Sequence, residues 1–443
     1  MSEAWLTMTA SDLGRGIETG EIEPMALTEA YLDAAATHEM ADRIYARMTE
    51  QRARAEAKAA SERAKLGLRR GLLDGVPISW KDLFDSAGVA TEAGSKLLAG
   101  RTPDKDAEVL GNATAQGLVC LGKTHMSELA FSGLGLNPVT ATSPCVNDLD
   151  AVAGGSSSGS ATSVAFNLAA ASIGSDTGGS VRIPSAWNDL VGLKTTIGRV
   201  SVEGSVPLCA RFDTVGPLCR SVEDAAQLLA AIEGGKPADL KGAELAGARL
   251  MVLETAAFDD IRDEPQAGFD AARQRLEKAS AQVTQADIPE VSEALSLSGV
   301  LFATEAYAQW QNEIEANPGA MFPEILNRFR SGKDTLAREF LAAWAKLKAL
   351  KQIWADKTAG FDAVILPTSP ILPPNFERLM TDSDYYVTEN LLALRNTRIG
   401  NLMGLAGLTL PTGVPSTGIM FLSAPHSEER LLRLGAAAEG ALG

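Results

Sequence analysis

The chain carries two serine- and glycine-rich segments, GGSSSGSA at residues 154–161 and SDTGGSVR at residues 175–182, and they decide the fold that the sequence implies. A flexible linker has a similar composition. However, residues 165–173 between the segments are mostly apolar, and residues 181–184 are predicted to be extended. A linker is not expected between core elements, so the two segments are interpreted as loops within one folded core.

Two further interpretations of these segments are weaker. A phosphate-binding loop requires a lysine directly after its glycines, and the first lysine after either segment is Lys194. The motif GSSSG at residues 155–159 also matches a nucleophile elbow with Ser157 as the nucleophile. That elbow needs an apolar strand before it, and residues 147–152 make a poor strand. It also needs a downstream histidine, for which His426 is the one candidate, and this interpretation stays open.

The scarcity of histidine directs attention to lysine as a catalytic base. The chain has 3 histidines: His38, His125 and His426. A lysine can act as a base when burial, which disfavours the charged ammonium, lowers its pKa. Lys81 ends the apolar stretch GVPISWK at residues 75–81, where burial is expected. From spacing alone, an ion pair with Asp82 or Asp85 is an equally good interpretation of Lys81.

Composition and charge limit the classes of function. Of 443 residues, 45% are hydrophobic and 22% are charged, the balance of an ordinary soluble globular protein. The formal net charge of −16 disfavours nucleic acid and membrane as partners, because nucleic acid and anionic lipid repel it. Residues 1–12 contain neither a basic stretch nor an apolar run, so a cytoplasmic protein without a signal peptide is predicted. The 4 cysteines form no CxxC pair and are expected to be reduced structural thiols.

The order of the predicted elements indicates the fold class. Helical patterns in residues 1–65 are followed by alternating strands and helices. The strands are predicted at residues 75–81, 117–122, 249–253, 361–367, 406–411 and 418–422, and a closing helix at 428–442. This alternation predicts a single large α/β domain with a central mixed β-sheet surrounded by helices, spanning residues 1–443. Its parts are predicted to be the N-terminal helices (1–65), a catalytic core (66–230), a variable substrate-shaping region (231–360) and the C-terminal strands and helix (361–443).

Three motifs together resemble those of the amidase signature family. They are DGVPISWKD at residues 74–82 and the two serine–glycine segments, and they occur in the family's order. The distances along the chain from Lys81 to Ser156 and from Ser156 to Ser180 are also similar to the family's spacing. The resemblance covers nearly the whole chain and is weakest in residues 235–360. It implies an amidase signature fold and a serine amidase that acts on linear amides and not on peptide bonds.

The resemblance implies a catalytic triad at matching positions. Ser180 is expected to be the nucleophile that forms the acyl-enzyme, and Ser156 to relay its proton to neutral Lys81. The family holds the serine at position 156 after a cis peptide bond, here Gly155–Ser156. No metal or organic cofactor is expected, because the mechanism needs none and the histidines and cysteines show no spacing typical of metal ligands.

The resemblance also assigns supporting roles. The backbone N–H groups of Thr177, Gly178, Gly179 and Ser180 are expected to form an oxyanion hole. Gly155 and Ser157 are expected to support the loops, and Asp176 and Arg182 to form an ion pair that braces them. Ser158 stands where many members of the family have glycine, and the tail at residues 412–418 is shorter than the common pattern. The shorter tail could alter the entrance to the substrate site.

The substrate and the partners are less well defined by the sequence. A small-molecule amide and a possible homodimer are expected. A pocket could be lined by the apolar residues Phe131, Leu134, Leu136, Phe302, Tyr307, Trp310 and Tyr386. Arg395 and Asn396 could instead bind a polar or carboxylate-bearing substrate. Two rival functions stay open: the amidase subunit of a tRNA-dependent amidotransferase, and a catalytically inactive binding or scaffold protein.

Overall fold

The fold is built on one large mixed β-sheet. The computed structural model describes residues 2–443 of the chain. Within them the strands are β1 (Tyr45–Met48), β2 (Pro77–Lys81), β3 (Val119–Thr124), β4 (Pro144–Cys145), β5 (Asp148–Val152), β6 (Ser172–Ser175), β7 (Val191–Lys194), β8 (Val215–Cys219), β9 (Arg249–Leu253), β10 (Gln282–Ala286), β11 (Ala363–Pro367), β12 (Ala406–Pro411) and β13 (Gly418–Ser423).

The helices cover the sheet and connect its strands. They are α1 (Ser2–Leu6), α2 (Ala10–Thr19), α3 (Pro24–Thr37), α4 (Ala41–Ile44), α5 (Glu50–Lys65), α6 (Glu108–Ala115), α7 (Ser158–Ala165), α8 (Arg182–Trp187), α9 (Val222–Glu233), α10 (Asp263–Lys278), α11 (Glu290–Ser296), α12 (Thr304–Ala316), α13 (Pro323–Arg330), α14 (Ala337–Thr358), α15 (Phe376–Thr381), α16 (Ser383–Met403) and α17 (Glu428–Leu442). Short 3₁₀ turns and one π-helical turn, Gly299–Ala303, complete the connections. The predicted single α/β domain with a mixed central sheet is confirmed.

The sheet has 11 strands in the order β1-β3-β2-β6-β8-β7-β12-β13-β11-β9-β10, and β4 pairs with β5 outside it. Strand β2 runs parallel to both of its neighbours, β3 and β6. All residues of these three strands are buried, as expected for parallel strands covered on both faces. Because the carboxyl ends of parallel strands meet at one edge, the last residues of β2 and β6, Lys81 and Ser175, lie side by side.

Helix α16 is the longest element near that edge. Its first turn is capped by the side chain of Asp382, which accepts a hydrogen bond from the backbone N–H of Tyr385. It ends at Gly404, whose φ of 77° is the left-handed conformation that glycine adopts without steric penalty. Twelve residues of this helix are buried, so α16 is fixed as a rigid wall against which the loops of the site can pack.

The structure differs from the sequence prediction in several places: β6, β7, β8 and β10 are absent from the predicted strands, and three other segments form a different element from the one expected. Residues 45–48, predicted as helical, form β1, which extends the sheet beside β3. Residues 147–152, judged a poor strand, contain β5, which pairs with the short β4 and forms a single β-bridge from Ala151 to Asn375. Residues 181–184, predicted as extended, begin helix α8, because the carboxylate of Asp176 accepts the N–H of Val181 at 3.1 Å and so satisfies a donor at the helix start.

The described residues include no helix that is both long and apolar enough to span a lipid bilayer. All 4 cysteines are buried free thiols. No cluster of three or more His, Cys, Asp or Glu side chains with the geometry of a metal site occurs within residues 2–443.

Candidate active site

Lys81 is the last residue of β2, and its side chain is fully buried. Its Nζ lies 2.6 Å from Oγ of Ser156 and 2.8 Å from Oγ of Ser175. Burial lowers the pKa of Lys81 to about 7, although the carboxylates of Asp176 and Asp213 act in the opposite direction. A large fraction of this amine is therefore neutral near pH 7, and a neutral amine can accept a proton.

The acidic neighbours of Lys81 in the sequence do not pair with it. The carboxylate of Asp82 contacts Arg47 at 2.6 Å, and that of Asp85 contacts Arg101 at 2.6 Å. Successive side chains along a strand point to opposite faces, so Asp82 leaves the face on which Lys81 lies. The ion-pair interpretation of Lys81 is therefore wrong.

Ser156 and Ser157 lie just before α7 and connect the two serine–glycine loops. The peptide bond between Gly155 and Ser156 is cis. The hydroxyl of Ser157 donates to the carbonyl oxygen of Ser175 at 3.2 Å, and its backbone N–H donates to the carbonyl oxygen of Ser180 at 3.2 Å. Ser157 therefore ties the loop at residues 154–157 to both ends of the next one.

The nucleophile elbow centred on Ser157 is wrong. Ser157 is fully buried and its hydroxyl is engaged with the backbone of Ser175. His426, the histidine that this interpretation requires, is exposed on the loop after β13. The linker interpretation is also wrong. A flexible linker would be exposed to solvent, whereas residues 151–164 are all buried and include most of helix α7.

Ser180 lies on the loop between β6 and α8, with 3% of its surface exposed. Together with Thr177 and Gly178 it lines a small cavity of about 20 Å³, roughly the space of one water molecule. Within residues 2–443 its hydroxyl forms no hydrogen bond to Ser156 or to any other group. The structure thus brings Lys81 into direct contact with Ser156, and it leaves the hydroxyl of Ser180 lining the cavity.

The backbone N–H groups beside Ser180 are not equivalent. That of Gly179 donates to Oδ1 of Asp176 at 2.9 Å. The expectation that the N–H groups of all four residues can bind an oxyanion is therefore wrong for Gly179. The N–H groups of Thr177, Gly178 and Ser180 have no acceptor among the described residues. Three free donors next to a cavity form the kind of arrangement that binds a developing oxyanion.

Helix α16 holds this loop in place from the side. The hydroxyl of Thr397 donates to the carbonyl oxygen of Gly178 at 2.7 Å. Gly179 has a φ of 139°, and a Cβ at this position would overlap the Thr397 hydroxyl. Both the backbone conformation and the close approach of α16 therefore require glycine at position 179.

Asp176 and Arg182 form a fully buried ion pair with two contacts, at 2.9 and 3.0 Å. Burial by itself would raise the pKa of Asp176, but the charge and hydrogen bonds of Arg182 outweigh it and hold the pKa well below its ordinary value. Asn401 on α16 donates to Asp176 at 2.9 Å, and Arg182 donates to Asn401 at 2.6 Å. The pair lies beneath the loop of Ser180 and connects it to α16.

A second cavity of about 350 Å³ adjoins the small one at Ser180. The residues that line both cavities are Phe131, Phe302, Arg328 and Arg398. Of the predicted pocket residues, Phe131, Phe302 and Tyr386 line the larger cavity. The others pack in the hydrophobic core and line neither cavity: Leu134, Leu136, Tyr307 and Trp310. A cavity of about 860 Å³ along α14 shares no lining residue with these two.

The polar candidates on α16 need a correction. Asn396 is buried and donates to two backbone carbonyl oxygens, those of Ala257 and Pro367. Arg395 also contacts the backbone of Ala257. Neither residue lines a cavity next to Ser180. Instead, three residues of α16 that are spaced four apart, and therefore lie on one face, reach these cavities: Asn390, Leu394 and Arg398.

Sequence reasoning missed Arg328 and Arg398. Arg398 could have been found from the 3.6-residue period of α16, which places it on one face with Leu394. No pattern in the sequence distinguishes Arg328 from Arg330, two residues later on α13. Ser175 and Asp213, which surround Lys81, were also missed, and their role depends on which strands become neighbours.

Comparison with known proteins identifies relatives over the whole length. The family model described as Amidase matches residues 26–432. The 2-amino-5-chloromuconic acid deaminase of Comamonas testosteroni is 33% identical and aligns over 98% of this chain and 97% of that protein. A glutamyl-tRNA(Gln) amidotransferase subunit of Anaeromyxobacter sp. (strain K) is 31% identical over 98% of this chain and 96% of that relative.

A solved structure agrees with these relatives. A crystal structure of an amidase superposes with a TM-score of 0.87 at 30% identity, and covers 98% of this chain and 100% of that one. The match with the family model runs through the strand of Lys81, both serine–glycine loops and the C-terminal strands. Since sequence and fold agree over nearly all of its length, the chain belongs to the amidase family.

Proposed function

We propose that this amidohydrolase cleaves the C–N bond of a small-molecule carboxamide through an acyl-enzyme on Ser180, with Ser156 and neutral Lys81 as the proton relay. The observation that carries the proposal is the buried contact of 2.6 Å between Nζ of Lys81 and Oγ of Ser156. An amine whose pKa is lowered to about 7 is poised to take and return a proton near neutral pH.

The proton path follows from the contacts of Lys81. Nζ lies within hydrogen-bond distance of the hydroxyls of Ser156 and Ser175. We infer that the neutral amine donates to Ser175 and turns its lone pair toward Ser156, which then donates to it. Ser156 gives its proton to Lys81 and takes the proton of Ser180, whose oxygen attacks the amide carbon. The return of the proton along the same path lets ammonia or an amine leave. Water, deprotonated by the same relay, then attacks the ester carbonyl and releases Ser180.

The hydroxyl of Ser180 must turn toward Ser156 when substrate binds. Catalytic hydrogen bonds are often absent or long before the substrate arrives, so the unpaired hydroxyl is compatible with this role. The oxyanion is bound by the free N–H groups of Thr177, Gly178 and Ser180. Each such donor contributes about 3–4 kcal/mol to the stability of a transition state.

Four further residues take no part in the proposed bond making or proton transfer but hold the relay and the loop of Ser180 in position. Gly155 and Ser157 position the relay, and Asp176 with Arg182 braces the loop of Ser180 against α16. Residues 231–360 shape the substrate site, since Phe302 and Arg328 come from this region and line both cavities next to Ser180.

The chemistry of the relatives supports hydrolysis of a small C–N substrate. A deaminase, as the Comamonas testosteroni relative is named, releases nitrogen by cleaving a C–N bond. The combined volume of the two cavities beside Ser180 is suited to a small linear amide rather than a folded polypeptide.

A second candidate function is the glutaminase subunit of a tRNA-dependent amidotransferase, because several relatives are named as subunits of glutamyl-tRNA(Gln) amidotransferases. In that case the chain requires a partner subunit for its activity. Release of ammonia from simple amides by the purified chain alone supports the free amidase. Hydrolysis of glutamine that depends on an added partner supports the amidotransferase.

The proposal is tested with a fluorophosphonate probe, which labels activated serine nucleophiles. We expect labelling of the native chain and its loss in Ser180→Ala. Ser158→Ala is the matched control, since Ser158 lies in the same segment but its hydroxyl donates only to the carbonyl oxygen of His125, at 3.4 Å, and the variant should still be labelled. Labelling that persists in Ser180→Ala, or no labelling of the native chain, contradicts the proposed nucleophile and in the second case favours a scaffold protein.

A further inference from the structure

Two arginines beside Ser180 lack an acidic partner. Nη1 of Arg328 is buried and has no hydrogen-bond partner among the described residues. Its guanidinium packs over the ring of Phe131, with Cζ 4.6 Å from the ring centroid. Within residues 2–443, neither Arg328 nor Arg398 lies within 4.0 Å of a carboxylate. Both side chains are half-buried, and a partly dehydrated charge without a counter-ion is unfavourable, so these guanidinium groups are suited to an anion that the protein itself does not supply.

Both arginines lie next to the reacting serine. They line the same cavity of about 20 Å³ as Ser180, and both extend into the adjoining cavity of about 350 Å³. A Cβ built on Gly178 would lie 3.7 Å from Cγ and 4.0 Å from Nε of Arg398. The side chain of Arg398 therefore passes directly beside the loop that carries the free N–H donors.

The electrostatics of this pair favour a bound anion. Burial lowers the pKa of Arg328 to about 10. Burial, together with the positive charge of Arg328, lowers the pKa of Arg398 to about 9. Two like charges in a partly dehydrated cavity repel each other, and a carboxylate between them would remove that repulsion. The fully buried Arg182, by contrast, already has its carboxylate, that of Asp176.

The other residues that line the cavities limit which ligands can bind beside the two arginines. Glu324 also lines the larger cavity, but it forms no ion pair with either arginine in the described residues and accepts a hydrogen bond from Ser383 at 2.6 Å. Phe131 and Phe302 provide apolar surface between the arginines and the outer cavity. The cavities thus combine a cationic pair with an apolar wall, an arrangement that fits a short carbon chain with an anionic end.

We propose that the substrate of Ser180 is a small amide that also carries a carboxylate, and that Arg328 and Arg398 bind this carboxylate. The proposal rests on the proposed function, since it names the substrate class of the same site. The anion subsite expected at Arg395 and Asn396 thereby moves to the face of α16 that reaches Ser180 and to α13. The relative from Comamonas testosteroni is named for a substrate that is an acid, in agreement with this assignment.

The test is a binding measurement that does not depend on turnover. Ser180→Ala protein is titrated by calorimetry with succinamate, glutaramate and adipamate, and with the neutral amides of equal carbon number. We expect at least one amido acid to bind about 10- to 100-fold more tightly than its neutral counterpart, the range typical of hydrogen bonds to a charged group. The difference should collapse when Arg328→Gln or Arg398→Gln is added.

Arg330→Gln is the matched control. Arg330 lies two residues from Arg328 on α13, but its guanidinium pairs with Glu315 at 2.7 Å outside the cavities. This variant should keep the preference for the amido acids. Should a glutamine variant fail to fold, as judged by thermal unfolding, Arg328→Lys and Arg398→Lys replace it and should retain part of the preference.

Two outcomes overturn the proposal. The first is that Ser180→Ala protein binds each amido acid and its neutral amide with equal affinity. The second is that the arginine variants lose affinity for the amido acid and for the neutral amide to the same extent. Ammonia release by the native chain is measured in parallel. Tight binding of an amido acid without any turnover would contradict the proposed hydrolysis and leave the anion subsite supported, so the two failures are distinguishable.

Discussion

Lowering the pH below 7 should inactivate this protein by protonating one buried amine. Lys81 is fully buried, and burial lowers its pKa to about 7 from an ordinary value of 10.5. The charged groups that oppose this shift are Asp176 and Asp213, both near the ammonium. Only the neutral amine can take the proton of Ser156, so the rate of attack by Ser180 should follow the neutral fraction of Lys81.

The size of the effect follows from that pKa. With a pKa of about 7, roughly half of Lys81 is neutral at pH 7 and about 1% at pH 5, so the rate should fall about 50-fold over this interval. Above pH 8 the rate should level off, because the amine is already neutral. A lysine with its ordinary pKa would be neutral in only about one molecule in 3,000 at pH 7, and the rate would rise tenfold per unit up to pH 10.

The assay is the second-order rate constant for fluorophosphonate labelling of Ser180 between pH 5 and 9, corrected for hydrolysis of the probe. Kinetics of ammonia release from a neutral amide provide the same profile. Two other buried groups also have a pKa of about 7: Lys194, whose pKa burial lowers, and Glu128, whose pKa burial raises. Lys194→Met and Glu128→Gln are therefore the control variants, and both should keep the inflection near pH 7.

Three results would refute the reasoning about Lys81. The first is a rate that still rises tenfold per unit above pH 8, which would mean that the lysine keeps its ordinary pKa. The second is a rate independent of pH between 5 and 8. The third is an inflection that disappears in Lys194→Met or Glu128→Gln protein that still reacts, which would assign the titration to another residue.

Three further perturbations have defined outcomes. Lys81→Met should abolish labelling yet raise the free energy of unfolding, measured in urea at pH 7, by about 2 kcal/mol. The variant removes the cost of about 4 kcal/mol for keeping the buried amine neutral at this pH, and it loses two hydrogen bonds of about 1 kcal/mol each. A lower free energy of unfolding in the variant would contradict this. Asp176→Asn should lower the free energy of unfolding by about 3–5 kcal/mol, because it leaves Arg182 buried without its counter-ion, and a loss below 1 kcal/mol would show that the pair is dispensable. Gly179→Ala should lower kcat about 100-fold or more, with a smaller change in KM. The reason is that a Cβ at this position overlaps Thr397 and displaces the N–H groups proposed to bind the oxyanion. An unchanged kcat would contradict the assigned loop geometry.

The sequence by itself predicted the fold class, which the structure confirms, and the three residues proposed for the core of the site. Lys81, Ser156 and Ser180 each belong to a segment whose local residues are distinctive: an apolar strand that ends in lysine, and two loops in which glycine and serine alternate. Each of these motifs spans about ten residues or fewer, so it can be recognised in the sequence without knowledge of strand pairing or side-chain packing. The alternation of strands and helices likewise predicted the single α/β domain.

Only the tertiary structure decided which groups surround these residues. Residues 45–48 form a strand because the edge of β3 is open beside them, a fact absent from their own helical pattern. The N–H of Gly179 is engaged because the carboxylate of Asp176 lies beneath the loop and is held there by Arg182 and Asn401. The burial of Lys81 and its contact with Ser175 likewise depend on the pairing of β2 with β6.

The arginines beside Ser180 show most clearly the difference between what the local sequence predicts and what tertiary contacts determine. An arginine on a helix is ordinarily solvated, and the sequence around Arg328 does not distinguish it from Arg330. Its role depends on α13 packing near Phe131, about 200 positions earlier in the chain, and on Arg398 of α16 reaching Gly178. Local sequence determines the backbone conformation and the reactive groups, whereas charge pairing and access to a cavity are set by contacts between distant segments, which exist only once the chain has folded.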